Sequence, residues 1–139
     1  MNAIDTNVFI YALDGDDPKK QVLARGLFDR LVSSSEGTVL LWQVAGELLA
    51  NLRKRESSGR ISAEDVEAHF TDFHAMFPLV VPNAKALSAY FKFRSKFSLS
   101  HWDAMLLAAC QVAGVTILFS EDMEHATNYD GISIVNPFA

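Results

Sequence analysis

Short apolar runs alternate along this chain with longer stretches in which apolar residues recur every three or four positions. The short runs predict strands at Ala3–Asp5, Thr38–Leu41, Leu79–Val81, Val115–Phe119 and Ile132–Val135. The longer stretches predict helices. Pro18 suits the first turn of one that reaches about Val32. Ala45, Leu48, Leu49 and Leu52 form the apolar stripe of a second, from Gln43 to Glu56. Ser62, with Asp65 three residues on, opens a third that ends near Pro78. Asn83 caps a fourth up to Lys96, and Ser100 caps a fifth that Gly114 ends. Ser33 to Gly37 and Ser57-Ser58-Gly59 read as breaks, and Pro137 closes the last strand.

Strands separated by helices are βαβ units, which predict an α/β fold. The expected architecture is three layers, α/β/α, around a mainly parallel and roughly five-stranded sheet. Val115–Phe119 is almost continuously apolar, as a strand covered on both faces should be. With 139 residues and no repeat, linker or low-complexity tract, residues 1–139 are expected to form a single domain.

Half of the residues are hydrophobic, so a sizeable core is attainable. The net charge of −5 argues against a protein that coats nucleic acid, but allows an enzyme that grips it locally. Cys110 is the only cysteine and lies in an apolar helical stretch, where it reads as a small buried hydrophobe. One cysteine makes no internal disulfide, and Met1–Asp5 has no basic leader, so a cytoplasmic protein is expected. Trp102 to Phe119, the longest apolar stretch, is interrupted by Asp103, Gln111 and Gly114; helix, turn and strand explain it better than a membrane span.

Four acids sit where elements start or stop. Asp5 ends the first strand and Asp122 follows the fourth. In an open α/β sheet the carboxyl ends of strands border the ligand crevice. Each acid also has a local explanation. Asp5-Thr6-Asn7 can serve as a capping or turn triplet. Glu47 lies opposite its helix's apolar stripe, sharing a face with Gln43 and Asn51, and a solvated face looks the same by periodicity. Ser100-x-x-Asp103 matches a capping box, yet Ala104 to Cys110 contains no polar residue, so a carboxylate there opens a buried helix. Ser120-Glu121-Asp122 is either a solvated turn or a device that points one acid inward.

The four acids together favour a site. Crowded carboxylates need protons or cations to offset their repulsion, and all-oxygen ligands select Mg²⁺ or Mn²⁺ over zinc. His69, His74, His101 and His125 form no zinc spacing, and there is no phosphate-cradling glycine loop or serine nucleophile elbow.

In their order and spacing, Asp5-Thr6-Asn7, Glu47, Ser100-His101-Trp102-Asp103-Ala104 and Ser120-Glu121-Asp122 resemble the PIN-domain family, specifically the VapC-type toxins of bacterial toxin–antitoxin systems. The resemblance spans essentially the whole chain. It implies that Asp5, Glu47, Asp103 and Asp122 bind Mg²⁺ or Mn²⁺, supported by Asn7 and Ser120. It implies a hydrolase that cleaves RNA phosphodiester bonds, forms a homodimer and is inhibited by a cognate antitoxin. Glu121 departs from the simplest pattern, which has one acid at that point; spacing favours Asp122 as the ligand. A cation in such a site would acidify water and neutralise phosphate charge.

Arg53, Lys54, Arg55, Lys92 and Arg94 are candidate phosphate contacts, although basic residues on helices are often simply solvated. Phe91, Phe93 and Phe97 can stack on bases, with core packing the expectation for at least two. Phe70, Phe73, Phe77, Tyr90, Phe91 and Phe93 exceed what one small core should hide, which points to apolar helix surface for a dimer. Two alternatives are a catalytically idle PIN-like binding module and a haloacid-dehalogenase-type phosphatase. The latter needs a second aspartate two residues after Asp5, where this chain has Asn7.

Overall fold

The computed structural model describes residues 1–139. Its strands are β1 (Asn2–Ile4), β2 (Thr38–Leu41), β3 (Leu79–Val80), β4 (Ile117–Phe119), β5 (Asn128–Tyr129) and β6 (Ile132–Val135). Its helices are α1 (Thr6–Leu13), α2 (Pro18–Ser33), α3 (Trp42–Ser57), α4 (Ala63–Met76), α5 (Lys85–Lys96) and α6 (His101–Ala113). The α/β fold with a mainly parallel sheet flanked by helices is as expected. The sheet runs β3-β2-β1-β4-β6-β5, and only the β5–β6 pair is antiparallel.

This order sets the position of the site. From β1 the chain builds outward through β2 to β3, then crosses back to β4 on the other side of β1. The winding direction therefore reverses between β1 and β4, and the crevice of an open α/β sheet opens at the carboxyl ends of those two strands. Ile4 pairs with Phe119 there, and the Asp5 amide donates to the Phe119 carbonyl at 2.8 Å.

Two elements escape the sequence reading. α1 is apolar from Val8 to Ile10 and buried there, so it shows no polar face for periodicity to detect. Phe9 anchors it, with ring centroids 5.0–6.0 Å from Phe28, Phe73 and Phe77. β5 closes a hairpin with β6 through Asp130-Gly131, whose φ values are 51° and 98°. A tight hairpin turn requires those positive angles, and Asp-Gly is a sequence signal for it.

The capping expectations hold at three helices. Pro18 occupies the first turn of α2, Ser62 and Asp65 form a reciprocal capping box on α4, and Gly114 ends α6 in a left-handed conformation with φ 79°. On α3, however, Leu49 is exposed and Val44 is buried, so the buried stripe is Val44, Ala45, Leu48 and Leu52. As expected, the core does not hide all of the aromatics. Phe73, Phe77 and Phe93 are buried, Phe70, Tyr90 and Phe97 are half-buried, and Phe91 remains in solvent. Cys110 is fully buried as expected, with its thiol pKa pushed up by burial and by the Asp5 charge. No helix is long and apolar enough to cross a membrane.

Candidate active site

Asp5 both caps a helix and belongs to the acid site. It sits just past β1 in extended backbone as the N-cap of α1, and its Oδ1 accepts from the Thr6 amide at 2.8 Å. Its Oδ2 accepts from the Ser120 hydroxyl at 2.9 Å. Ser120 is fully buried at the end of β4, and its oxygen in turn accepts the Asp122 amide at 3.2 Å. One hydroxyl therefore joins the ends of the two strands that border the crevice.

The other acids are oriented by neighbours. Thr6 Oγ1 donates to Glu47 Oε2 at 2.7 Å, and Gln43 Nε2 donates to Glu47 Oε1 at 3.1 Å. The same Gln43 amide reaches the Trp102 carbonyl at 3.3 Å, tying α3 to the start of α6. Asn7 Nδ2 spans both Asp122 oxygens at 3.0 and 3.2 Å. At α6 only half of a capping box forms. The Ser100 hydroxyl accepts the Asp103 amide at 3.2 Å, while the Asp103 carboxylate makes no return bond.

Electrostatics link Asp5 and Asp122 to neighbouring acids. Burial is the largest cause raising the Asp5 pKa from 3.8 to about 6. The Thr6 and Ser120 hydrogen bonds oppose it, and the charges of Asp122 and Glu47 add to it. The Asp122 pKa is raised by desolvation and by Glu121, opposed by Asn7, and raised further by Asp103 and Glu47. Asp5 thus feels Asp122 and Glu47, and Asp122 feels Glu121, Asp103 and Glu47.

Glu121 faces elsewhere. Its carboxylate pairs with Lys20 of α2. Of the candidate phosphate contacts, Arg55 is half-buried and bound to Asn51 and Asp14 at 3.2 and 3.5 Å. Arg53 and Lys54 line a shallow exposed hollow farther along α3, and Lys92 and Arg94 are exposed on α5. Of the three phenylalanines weighed for stacking, only Phe91 is in solvent.

No three acidic, histidine or cysteine side chains converge closely enough to hold a metal ion. Glu47 is instead bound by Thr6 and Gln43, and Asp122 by Asn7. The donor set nevertheless fits a hard cation. It is all oxygen, and it includes a buried carboxylate whose pKa is raised chiefly by burial and further by the charges of Asp122 and Glu47. Glu47 and Asp122 are exposed, so their side chains have room to turn inward.

The chain matches the family model described as the PIN domain over residues 3–130. It belongs to the PIN-domain family. Solved structures share the fold of this PIN domain at low identity. VapBC2 from Rickettsia felis, bound to a DNA fragment from its promoter, is 12% identical with a TM-score of 0.69, covering 96% of each chain. A toxin–antitoxin complex from Klebsiella pneumoniae is 15% identical with a TM-score of 0.68, covering 99% of this chain and 98% of the other. VapC20 from Mycobacterium tuberculosis, a sarcin–ricin loop cleaving toxin, is 16% identical with a TM-score of 0.64, covering 88% and 92%. No curated protein matches by sequence.

Among the residues singled out in the sequence, the structure joins Asn7 to Asp122 and Ser120 to Asp5. Thr6 as a partner of Glu47 has no signal in the sequence beyond its place in Asp5-Thr6-Asn7, and Gln43 shows only a shared helix face. Lys20 gave no signal, because one lysine in the first turns of a helix looks like any solvated residue.

Proposed function

We propose that this PIN domain is a divalent-metal-dependent endoribonuclease, the toxin of a type II toxin–antitoxin pair. One observation carries the reading. Asp5 and Asp122 follow the two strands that border the switch-point crevice, the charges of Asp122 and Glu47 act on Asp5, that of Asp103 acts on Asp122, and burial raises the Asp5 pKa to about 6. Such a group is stabilised by a cation, and oxygen ligands suit Mg²⁺ or Mn²⁺. The toxin–antitoxin assemblies among proteins of the same fold support a cognate antitoxin as partner, and the RNA-cleaving toxin among them supports RNA as substrate. The net charge of −5 fits local binding of one RNA segment rather than coating.

In this reading Asp5, Glu47, Asp103 and Asp122 hold the cation, which when bound supplies charge for the phosphodiester and activates water for its hydrolysis. Asn7 and Ser120 orient Asp122 and Asp5, and Thr6 and Gln43 orient Glu47. Of the candidate phosphate contacts, Arg53, Lys54, Lys92 and Arg94 are exposed and outside any ion pair, whereas Arg55 is held by Asp14.

A homodimer is part of the proposal. Trp42 and Trp102 line a groove with Leu87 between α3, α5 and α6, and each is more than half exposed, as is Phe91 nearby on α5. A second copy covering this patch would remove apolar surface from water.

The test is Mn²⁺-dependent cleavage of RNA. Wild-type protein should cut RNA with Mn²⁺ and not with EDTA, and Asp5→Asn should fold yet fail to cut. Mn²⁺ should also raise the melting temperature. A protein that melts identically in EDTA and Mn²⁺ is the idle binding module instead.

A further inference from the structure

Lys20 is held in an unusual setting for a lysine on a helix surface. Its amide is the donor to the Asp17 cap at 3.2 Å, which fixes the residue in the first turn of α2. Its Nζ contacts Glu121 and lies 3.2 Å from the Tyr11 hydroxyl. The same ammonium is 4.5 Å from the centre of the Tyr11 ring and 5.3 Å from that of Phe138. Those rings pack edge to face, with centroids 5.1 Å apart. Helix α1, helix α2 and the C-terminal segment therefore build a half-buried cradle for one ammonium, and Glu121 lies in it.

An exposed lysine–glutamate pair contributes little by itself. This pair differs in its location and surroundings. Lys20 and Glu121 side chains are only 28% and 23% exposed, and Glu121 is the chain neighbour of Ser120 and Asp122. A free Glu121 would be a fifth carboxylate beside the acid group, with a longer reach than Asp122.

We propose that Lys20 is a positioning residue that holds Glu121 away from the acid site, so that Asp122 alone presents a carboxylate there from the turn after β4. This rests on the metal-dependent reading above. Pairing with Lys20 keeps the Glu121 carboxylate out of the ligand set, although its charge still acts on Asp122, and prevents it from displacing Asp122 as a ligand. The turn Ser120-Glu121-Asp122 then has one acid paired outward and one aimed inward.

The test compares Lys20→Met, Glu121→Gln and the double variant, using Mn²⁺ titration calorimetry without RNA and turnover on an RNA substrate. Lys20→Met keeps the length and apolar stem but releases Glu121. It should bind Mn²⁺ more tightly, by about fivefold, because an unpaired carboxylate now adds its charge beside the site. Its turnover should nevertheless fall by about tenfold, because the wrong acid competes for the cation. Adding Glu121→Gln should return both quantities to near wild type, and Glu121→Gln alone should change each by less than about twofold. A merely structural lysine would weaken or leave unchanged Mn²⁺ binding, with no rescue, and either result overturns the proposal. If Lys20→Met fails to fold, a large loss of turnover in Glu121→Gln overturns it equally. If wild-type protein binds no Mn²⁺, the metal-dependent reading itself is wrong and this inference falls with it. Normal wild-type binding with an unaltered Lys20→Met removes this inference alone.

Discussion

The Ser120 hydroxyl donates to Asp5 Oδ2 at 2.9 Å across 115 residues of sequence, while its oxygen accepts the amide of Asp122. Ser120 is fully buried, so this oxygen has no water to replace either partner. It couples the carboxyl end of β1 to that of β4 and fixes the separation of two of the four acids.

Replacing Ser120 with alanine should therefore act through the acids. Asp5 would lose one of the two hydrogen bonds that hold its pKa down, and Asp122 would lose the acceptor that sets its backbone. Orienting partners of metal ligands typically matter by about 10–100-fold in affinity or activity. Ser120→Ala should lower Mn²⁺ affinity and RNA turnover within that range while remaining folded. Circular dichroism, Mn²⁺ titration and RNA cleavage on one preparation would check it. Unchanged Mn²⁺ affinity would mean that the Ser120–Asp5 bond is a fold contact only.

Asp5 should also leave a signature in the pH dependence of stability. Its folded pKa, about 6, lies above its ordinary value of 3.8. Between those values the native state holds more protons than the unfolded state, so stability falls as pH rises through this window and levels off above it. A shift of this size corresponds to on the order of 3 kcal/mol at most. Asp14 and Asp65, whose pKa values are lowered, act in the opposite direction at lower pH, so the comparison must be with Asp5→Asn. Without metal, wild type should lose stability relative to Asp5→Asn between about pH 4 and pH 6. Mn²⁺ should restore wild type above pH 6 and do little for the variant. Urea unfolding at several pH values, with EDTA or with Mn²⁺, would measure this; parallel curves for the two proteins would contradict the buried-acid account.

Much of this site was legible because its acids sit at strand ends, and strand ends are where short apolar runs stop. Asp5 after Ile4 follows from that rule, while after Phe119 the rule leaves Glu121 and Asp122 open and only spacing to the resembled family favours Asp122. The helix that Asp5 caps was not legible. Residues Val8 to Ile10 are buried and apolar, so they lack the polar face that marks a helix by period. The orientation of Glu121 was not legible either. Adjacent acids have different partners, Lys20 for Glu121 and Asn7 for Asp122, and these lie 101 and 115 residues away in sequence. The hairpin at Asp130-Gly131 could have been read from its dipeptide, since both positions adopt the positive φ that the turn requires. The polar network around Glu47 is a tertiary arrangement: Thr6 is 41 residues away and Gln43 one helical turn away.

Asp103 is where capping and metal binding make opposite predictions. The structure divides the capping work: Ser100 accepts the Asp103 amide, and the Asp103 carboxylate gives nothing back. Asp103→Asn therefore removes no capping bond. What it removes is a negative charge near the start of α6, favourable to the helix dipole by about 0.3–1 kcal/mol, and unfavourable to Asp122, whose pKa it raises. If the repulsion outweighs the dipole, the apo variant will be as stable as wild type or more so. As a ligand, Asp103 would also be missed by the cation, and Mn²⁺ affinity and RNA turnover should drop, the latter by about 100-fold. If Asp103 served only the helix, the variant would be slightly less stable, bind Mn²⁺ normally and cleave at the wild-type rate. Thermal melts in EDTA and RNA cleavage in Mn²⁺ separate the two outcomes, because they differ in the sign of the stability change as well as in activity.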